Sequence, residues 1–309
     1  MNKYLRPLNG HRHADDYYSI YFVNSKMGHI VGTSGIVLKT VDSGLTWERR
    51  SSGTEQSLAA LSFLTPTQGF AAGDEGTLLR TDDSGDTWYP ITSKTVWDLY
   101  ALSFPTSQTG FVVGGGGTLL KTSDGGGSWH QLRTGTTKHL TALTFHSELI
   151  GYAAGDGGTM IMTEDGGLSW TNVVIPTEKK ISSMFWVNNQ SGYAAGDDGI
   201  ILRTDNSGKT WIPLHSGTRH RLRSVFFLTE NIGFAAGNGG DLANASGPGT
   251  LLRTSDRGQR WELISTPANM NFASLCFLVA FNKGYIVGAH GEALKSFDAG
   301  ATWHQMSLP

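Results

Sequence analysis

The stretch Gly69-Phe70-Ala71-Ala72-Gly73-Asp74-Glu75-Gly76-Thr77-Leu78-Leu79-Arg80-Thr81-Asp82-Asp83-Ser84-Gly85-Asp86-Thr87-Trp88 decides the fold. Gly69 to Gly73 has strand length, and Asp74-Glu75-Gly76 turns the chain. Thr77 to Thr81 is a further strand, and residues 82–86 make a tight loop. Residues 87–91 form a last strand with Trp88 near its start; Pro90 suits an outermost position that can spare a backbone donor. Just upstream, Leu58-Ala59-Ala60-Leu61-Ser62-Phe63 is an apolar run, followed by a turn at 64–68. Four short strands parted by turn residues, with no sustained helical period, read as one propeller blade.

The pattern recurs along the chain. Its closing phrase, Thr-x-Asp-x-Gly-x-Thr-Trp, is written seven times with small variations, ending on Trp47, Trp88, Trp129, Trp170, Trp211, Trp261 and Trp303. The first five tryptophans are 41 residues apart, and the last two steps are 50 and 42. A fixed period of this size marks a repeat architecture. The expectation is an all-β, seven-bladed propeller with four antiparallel strands per blade. Tyr17 to Phe22 fits the first strand of blade 1, and Thr302-Trp303-His304-Gln305 the fourth strand of blade 7. The ring then closes without exchanging a strand between its ends. Residues 17–309 form the single domain and residues 1–16 a tail.

Composition agrees with that reading and narrows the function. The 41 glycines suit several tight turns per repeat. A net charge of −2 gives no global pull towards nucleic acid or anionic lipid. The one cysteine, Cys276, excludes an internal disulfide framework. It lies between Leu275 and Phe277 and reads as a buried, inert thiol. No apolar run is long enough for a membrane-spanning helix. Met1 to His13 lacks the apolar core of a signal peptide. That predicts a cytoplasmic protein if Met1 is the native start, and an exported one if a signal has been removed.

The phrase itself has a physical job. Its carboxylate, at Asp42, Asp83, Asp124, Asp165, Asp256 and Asp298, can accept hydrogen bonds from nearby backbone N–H groups and hold the hairpin shut. Asn206 stands in the same place in blade 5 and keeps an acceptor oxygen. The glycine two positions on supplies a positive φ. The tryptophan can wedge between blades, where burial removes roughly 150–250 Å² of its surface from water. A metal or catalytic site at these acids is disfavoured: one isolated carboxylate per blade is a poor cage for Ca²⁺, which takes six to eight oxygens. The sequence implies neither cofactor nor metal.

This phrase is the Asp-box, or BNR, repeat. Sialidases share it, but their arginine triad, tyrosine nucleophile, glutamate partner and acid have no identifiable counterparts here. Xyloglucanase-type glycosidases share it in longer, two-propeller chains with one catalytic aspartate from each half. The combined pattern Gly-(Phe/Tyr)-Ala-Ala-Gly-Asp-x-Gly-x-(Ile/Leu)-Leu-Arg-Thr-x-Asp-x-Gly-x-Thr-Trp, seen from Gly69 to Trp88 and from Gly192 to Trp211, resembles the photosystem II stability and assembly factor family and its bacterial relatives. That resemblance covers residues 17–309. It implies a non-catalytic, seven-bladed propeller that docks on partner proteins in a larger complex. Members from photosynthetic cells carry a targeting or lipoprotein signal, which this chain does not show.

Blade topology sorts the loops onto two faces. Asp-box turns and the loops between strands 1 and 2 share one. Inter-blade loops and the turns between strands 2 and 3 share the other, where sequence varies most. There Arg219, His220, Arg221 and Arg223 form the strongest local charge feature, and Lys179, Lys180, Lys138 and His139 extend it into a basic arc. Arginine suits bidentate pairing with carboxylates of a protein partner. Trp97, outside the repeat pattern, is either an exposed hot spot or a buried plug. Trp186 reads as core. Blade 6 adds nine residues at 238–249 on the same face, where an insertion often marks a binding side. Asn244-Ala245-Ser246 matches a glycosylation acceptor.

Two functions follow: a protein-binding propeller, or a carbohydrate-binding or glycoside-hydrolysing one. A hydrolase needs two carboxylates across a sugar site, one with a raised pKa. Asp74, Asp98, Asp156, Asp197 and Asp198 are the acids available for such a pair. Most occupy the equivalent turn of different blades, where a turn role suffices. The protein-binding reading is preferred.

Overall fold

A computed structural model describes residues 15–239, 247–268 and 270–309. Seven four-stranded antiparallel sheets follow one another, each with its strands in sequential order. The first strands, which line the central channel, are Tyr17–Phe22, Leu58–Phe63, Leu99–Ser103, Leu140–Phe145, Ile181–Trp186, Leu222–Phe227 and Phe272–Leu278. The seven-bladed propeller is therefore the observed architecture. Blade 7 ends on its own fourth strand, His304–Met306, and blade 1 begins on its own first strand. Among the described residues no strand is exchanged to close the ring.

Outer strands are shorter than the sequence suggests. Blade 2's is Tyr89–Pro90, not residues 87–91. Trp88 still belongs to the turn, because its indole N–H donates to Gly85 O at 3.2 Å. The Asp-box turn is a closed hydrogen-bond circuit. Thr81 Oγ1 donates to Asp83 Oδ1 at 2.8 Å and accepts the N–H of Gly85 at 2.9 Å, while Thr87 N–H and Oγ1 donate to the same carboxylate. The hydroxyls of Thr87 and Thr302 hold Asp83 and Asp298 down at about 2. In blade 5, Asn206 keeps the circuit: Oδ1 accepts from Thr204 and Thr210, and Nδ2 donates to Thr210 Oγ1 at 2.8 Å.

The core is seven inter-blade clusters rather than one centre. Paired alanines face opposite neighbours: Ala71 packs towards blade 1 and Ala72 towards blade 3. Each junction also holds an aromatic trio. Trp129 of blade 3 meets Phe104 of its own blade and Phe70 of blade 2 edge-on, with Phe70 and Phe104 stacked at 4.9 Å. Trp186 is half-buried in the blade 4–5 trio with Tyr152 and Trp211.

Tyrosines in these trios reach across to the neighbouring Asp-box turn. Tyr193 and Tyr285 donate their hydroxyls to Arg257 O and Ser43 O, at 3.0 and 2.7 Å, and Tyr152 donates to Ser207 O. Blade 1 has His29 instead. Its Nε2 lies 3.0 Å from Ser84 O, so Nε2 carries the proton and replaces a tyrosine hydroxyl. His29 is fully enclosed, and burial pushes its pKa down to about 4.

Every first strand carries a bulge at its second residue. The pairing skips Tyr18, Ala59, Tyr100, Thr141, Ser182, Arg223 and Ala273. Bulges re-aim side chains. All seven line the channel cavity of about 280 Å³.

Candidate functional site

The bulge ring makes the channel asymmetric. Tyr18 and Tyr100 flank Ala59 on one side, and Thr141, Ser182 and Arg223 stand on the other. Burial raises both tyrosine pKa values, so both hydroxyls stay protonated. Arg223 is half-buried. Its Nε donates to Asn238 Oδ1 at 2.7 Å, and among the described residues no carboxylate lies within ion-pair distance of it. Burial, with neighbouring Arg221, pushes its pKa down. A cation so placed is stabilised by an incoming anion.

Above Arg223 a cleft of about 200 Å³ opens on the loop-rich face, lined by Asp156, Gly157, Lys180, Ser182, Asp197, Arg221 and Arg223. The residue preceding each first strand explains why it opens there. At four junctions that residue is an acceptor which clips the preceding blade's turn. Asp16 Oδ1 takes the N–H of His290, Asp98 Oδ1 that of Glu75, His139 Nδ1 that of Gly116, and Asn271 Oδ1 that of Gly239, at 2.8–3.2 Å. Glu75 and His290 have positive φ, so these clips hold left-handed residues in place. Blades 5 and 6 place Lys180 and Arg221 at this position. Neither can accept. They reach the first turn residue instead, Lys180 to Asp156 at 3.6 Å and Arg221 to Asp197 at 3.5 Å.

The basic arc is thus interleaved with acids. Lys179 pairs with Asp198 at 2.9 Å and Arg219 with the same carboxylate at 3.6 Å. The Lys179 contact pulls the Asp198 pKa down. Lys138 runs over Gly157. His220 turns away from the rim: its Nδ1 donates to Thr250 Oγ1 at 2.6 Å, since that hydroxyl already donates to Asn238 O. Trp97 is 51% exposed, next to Val96 at 84%. Its indole lies on Gly115 and Gly116, where any Cβ would come within 2.9 Å of the ring. The run Gly114-Gly115-Gly116-Gly117 was the available signal, since most blades carry a larger residue in that turn.

The structure brings Lys180, Arg221 and Arg223 together at one mouth and sets Trp97 and His139 together elsewhere on the face, their rings edge-on at 6.3 Å. Sequence reading missed the bulge ring. The signal was there: position two of each first strand is Tyr, Ala, Tyr, Thr, Ser, Arg and Ala, against neighbours that repeat. The Asn244–Ser246 acceptor, residues 1–14 and most of the 238–249 insertion lie outside the described residues. Cys276 is half-buried against the blade 7–1 cluster rather than fully buried, and desolvation pushes its thiol up to about 12.

The acids weighed for catalysis are engaged. Asp98 clips Glu75, and Asp156, Asp197 and Asp198 pair with lysine or arginine. Among the described residues every carboxylate displaced from its ordinary pKa is displaced downwards. Among them no group of three or more His, Cys, Asp or Glu side chains could hold a metal ion. Among the described residues no helix is long and apolar enough to cross a membrane.

Comparison with known proteins gives the same outline. The sequence profile of the photosystem II assembly factor YCF48 matches residues 12–95 and 127–222, more than half of the chain. A solved structure of YCF48 bound to a D1 peptide is 21% identical, with a TM-score of 0.75 over 92% of each chain. YCF48 from Cyanidioschyzon merolae is 20% identical, with a TM-score of 0.75 over 94% of this chain and 98% of that one. A GH74 xyloglucanase from Xanthomonas campestris reaches a TM-score of 0.74 at 12% identity, and this chain covers 55% of its length. At such identities the structural likeness shows the fold. No curated protein sequence matches the chain.

Proposed function

We propose that this chain, which belongs to the photosystem II assembly factor YCF48 family, is a non-catalytic docking propeller that holds an acidic segment of a partner protein at its channel mouth. The observation that carries this reading is Arg223, a half-buried guanidinium in the channel with no carboxylate within ion-pair distance among the described residues. A partner carboxylate would form a charge-assisted, bidentate pair with Arg223. Lys180 and Arg221 would be drawn towards it from Asp156 and Asp197, whose 3.6 and 3.5 Å contacts are long for ion pairs. Trp97, with Val96, supplies an aromatic anchor further round the same face. The rim cations Lys138, Lys179 and Arg219 would speed encounter more than they hold the complex. That YCF48 was solved with a D1 peptide supports a peptide as occupant.

The test is capture of an immobilised D1 peptide. Arg223→Ala should weaken it by about tenfold or more, as expected for a buried charge partner removed from an interface. Reversing Lys179 and Arg219 to Glu should mainly slow association. Equal capture by the Arg223 variant would overturn this assignment. The non-catalytic part has its own check: turnover of any fluorogenic glycoside that Asp197→Ala abolishes would refute it.

A further inference from the structure

The opposite face carries a second surface, where blade 7 meets blade 1. The residue before each Asp-box acid is polar in five blades: Asp82, Ser123, Glu164, Asp205 and Ser255. The two exceptions are Val41 of blade 1 and Phe297 of blade 7, which are neighbours across the ring closure. Both are at least half exposed, as is Leu45 in the same blade 1 turn. The 42-residue step of the repeat falls here too. Phe272 to Gly284 is one residue longer than Leu58 to Gly69. The extra residue makes a 3-10 turn, Val279–Phe281, that presents Val279 and Phe281 to solvent.

These side chains form one patch. Asn282 O accepts from Ala299 N–H at 2.9 Å, joining the Val279–Phe281 turn to Phe297's turn. Tyr285 donates to Ser43 O, joining blade 7 to the turn that holds Val41 and Leu45. Lysines fringe it. Lys26 accepts from Ser43 N–H through its carbonyl, Lys283 lies two residues after Phe281, and Lys295 lies 5.6 Å over the Phe297 ring. Among the described residues none of the three is in an ion pair. The local acids Asp42 and Asp298 are tied into their own turns, and Glu48 pairs with Arg50.

We infer that this corner of the Asp-box face docks on an anionic lipid surface. Loop tips bearing two phenylalanines and three aliphatic residues, ringed by unpaired lysines, match an acyl–headgroup boundary with negative charge. The patch belongs to none of the clefts described, so its shape suits a soft plane better than a peptide. Blade 4 provides an internal contrast. Leu149 and Leu168 are also exposed there, but Glu148 and Glu164 stand beside them. Docking through blades 7 and 1 leaves the channel mouth facing away from the lipid.

The experiment is flotation of the full chain with vesicles of equimolar phosphatidylglycerol and phosphatidylcholine, against phosphatidylcholine alone. Binding should require phosphatidylglycerol and fall with salt. Phe281→Ser with Phe297→Ser should lower the partition by about tenfold or more, by loss of inserted apolar surface. Lys26→Glu with Lys283→Glu should act similarly, while Leu149→Ser with Leu168→Ser should leave it unchanged. Circular dichroism melting confirms that each variant folds. No binding by the unaltered chain, or binding indifferent to the phenylalanine changes, overturns the inference. So does concentration-dependent dimerisation that the same phenylalanine changes abolish, since the patch would then cover a second copy.

Discussion

The Asp-box turns and the bulge ring belong to the same seven sheets, yet they obey opposite rules. At the turns, seven copies solve one problem in nearly one way: threonine or serine, acid or amide, glycine, tryptophan. In the ring, seven equivalent positions hold five residue types, from Ala59 to Arg223. The turns lock each blade to the next, so change there is felt as stability. The ring side chains line the channel cavity, half-buried. Repetition marks what holds the wheel together, and its failure marks what the wheel can recognise.

The sharpest way to break that contrast is to damage the repeated part. Trp129, 1% exposed between Phe70 and Phe104, should cost about 3–5 kcal/mol when changed to Ala. The shift of the denaturant unfolding midpoint measures it. His29 comes next. It is neutral in the fold down to about pH 4, whereas the unfolded chain protonates it near 6.5. The unfolded state therefore gains an extra proton as pH falls through that window. The His29 contribution is intact above 6.5 and lost by about 4, on the order of 3 kcal/mol. His29→Tyr, copying Tyr152 and Tyr285, should remove that part of the pH dependence of unfolding. Thr81→Val follows, at about 1–3 kcal/mol, because it strands the Gly85 N–H and one bond to Asp83. The smallest stability change is expected at Arg223. Its Ala variant should unfold within about 1 kcal/mol of the parent while capture of the peptide collapses. A large loss of stability there would erase the distinction between the two regions.

Most of the fold was legible because the repeat samples each structural demand seven times. Leu58–Phe63, Gly69–Gly73 and Tyr17–Phe22 have the bounds that the repeat frame suggests. The docking site was legible only in part. Charge runs such as Arg219 to Arg223 are visible in one dimension, but their partners are not. Asp198 of blade 5 serves both Lys179, in the loop that enters its blade, and Arg219, in the loop that leaves it. His220 looks like a rim cation in sequence and turns inward to Thr250 in space. The bulge ring needed the register between first and second strands, which no propensity encodes. The apolar corner at blades 7 and 1 was hidden because its members are some 240 residues apart.

That separation has a consequence for how the wheel stays shut. The same cross-blade bond spans 55 residues from Tyr152 to Ser207 but 242 from Tyr285 to Ser43. Joining ends so distant costs about 1 kcal/mol more in chain entropy than a neighbouring junction. Six seams are tethered by short linkers; the seventh is a clasp with nothing covalent to hold it near. Breathing of the structure should begin at this clasp, and amide protons around Ile20 and Val287 should exchange first among otherwise equivalent core positions.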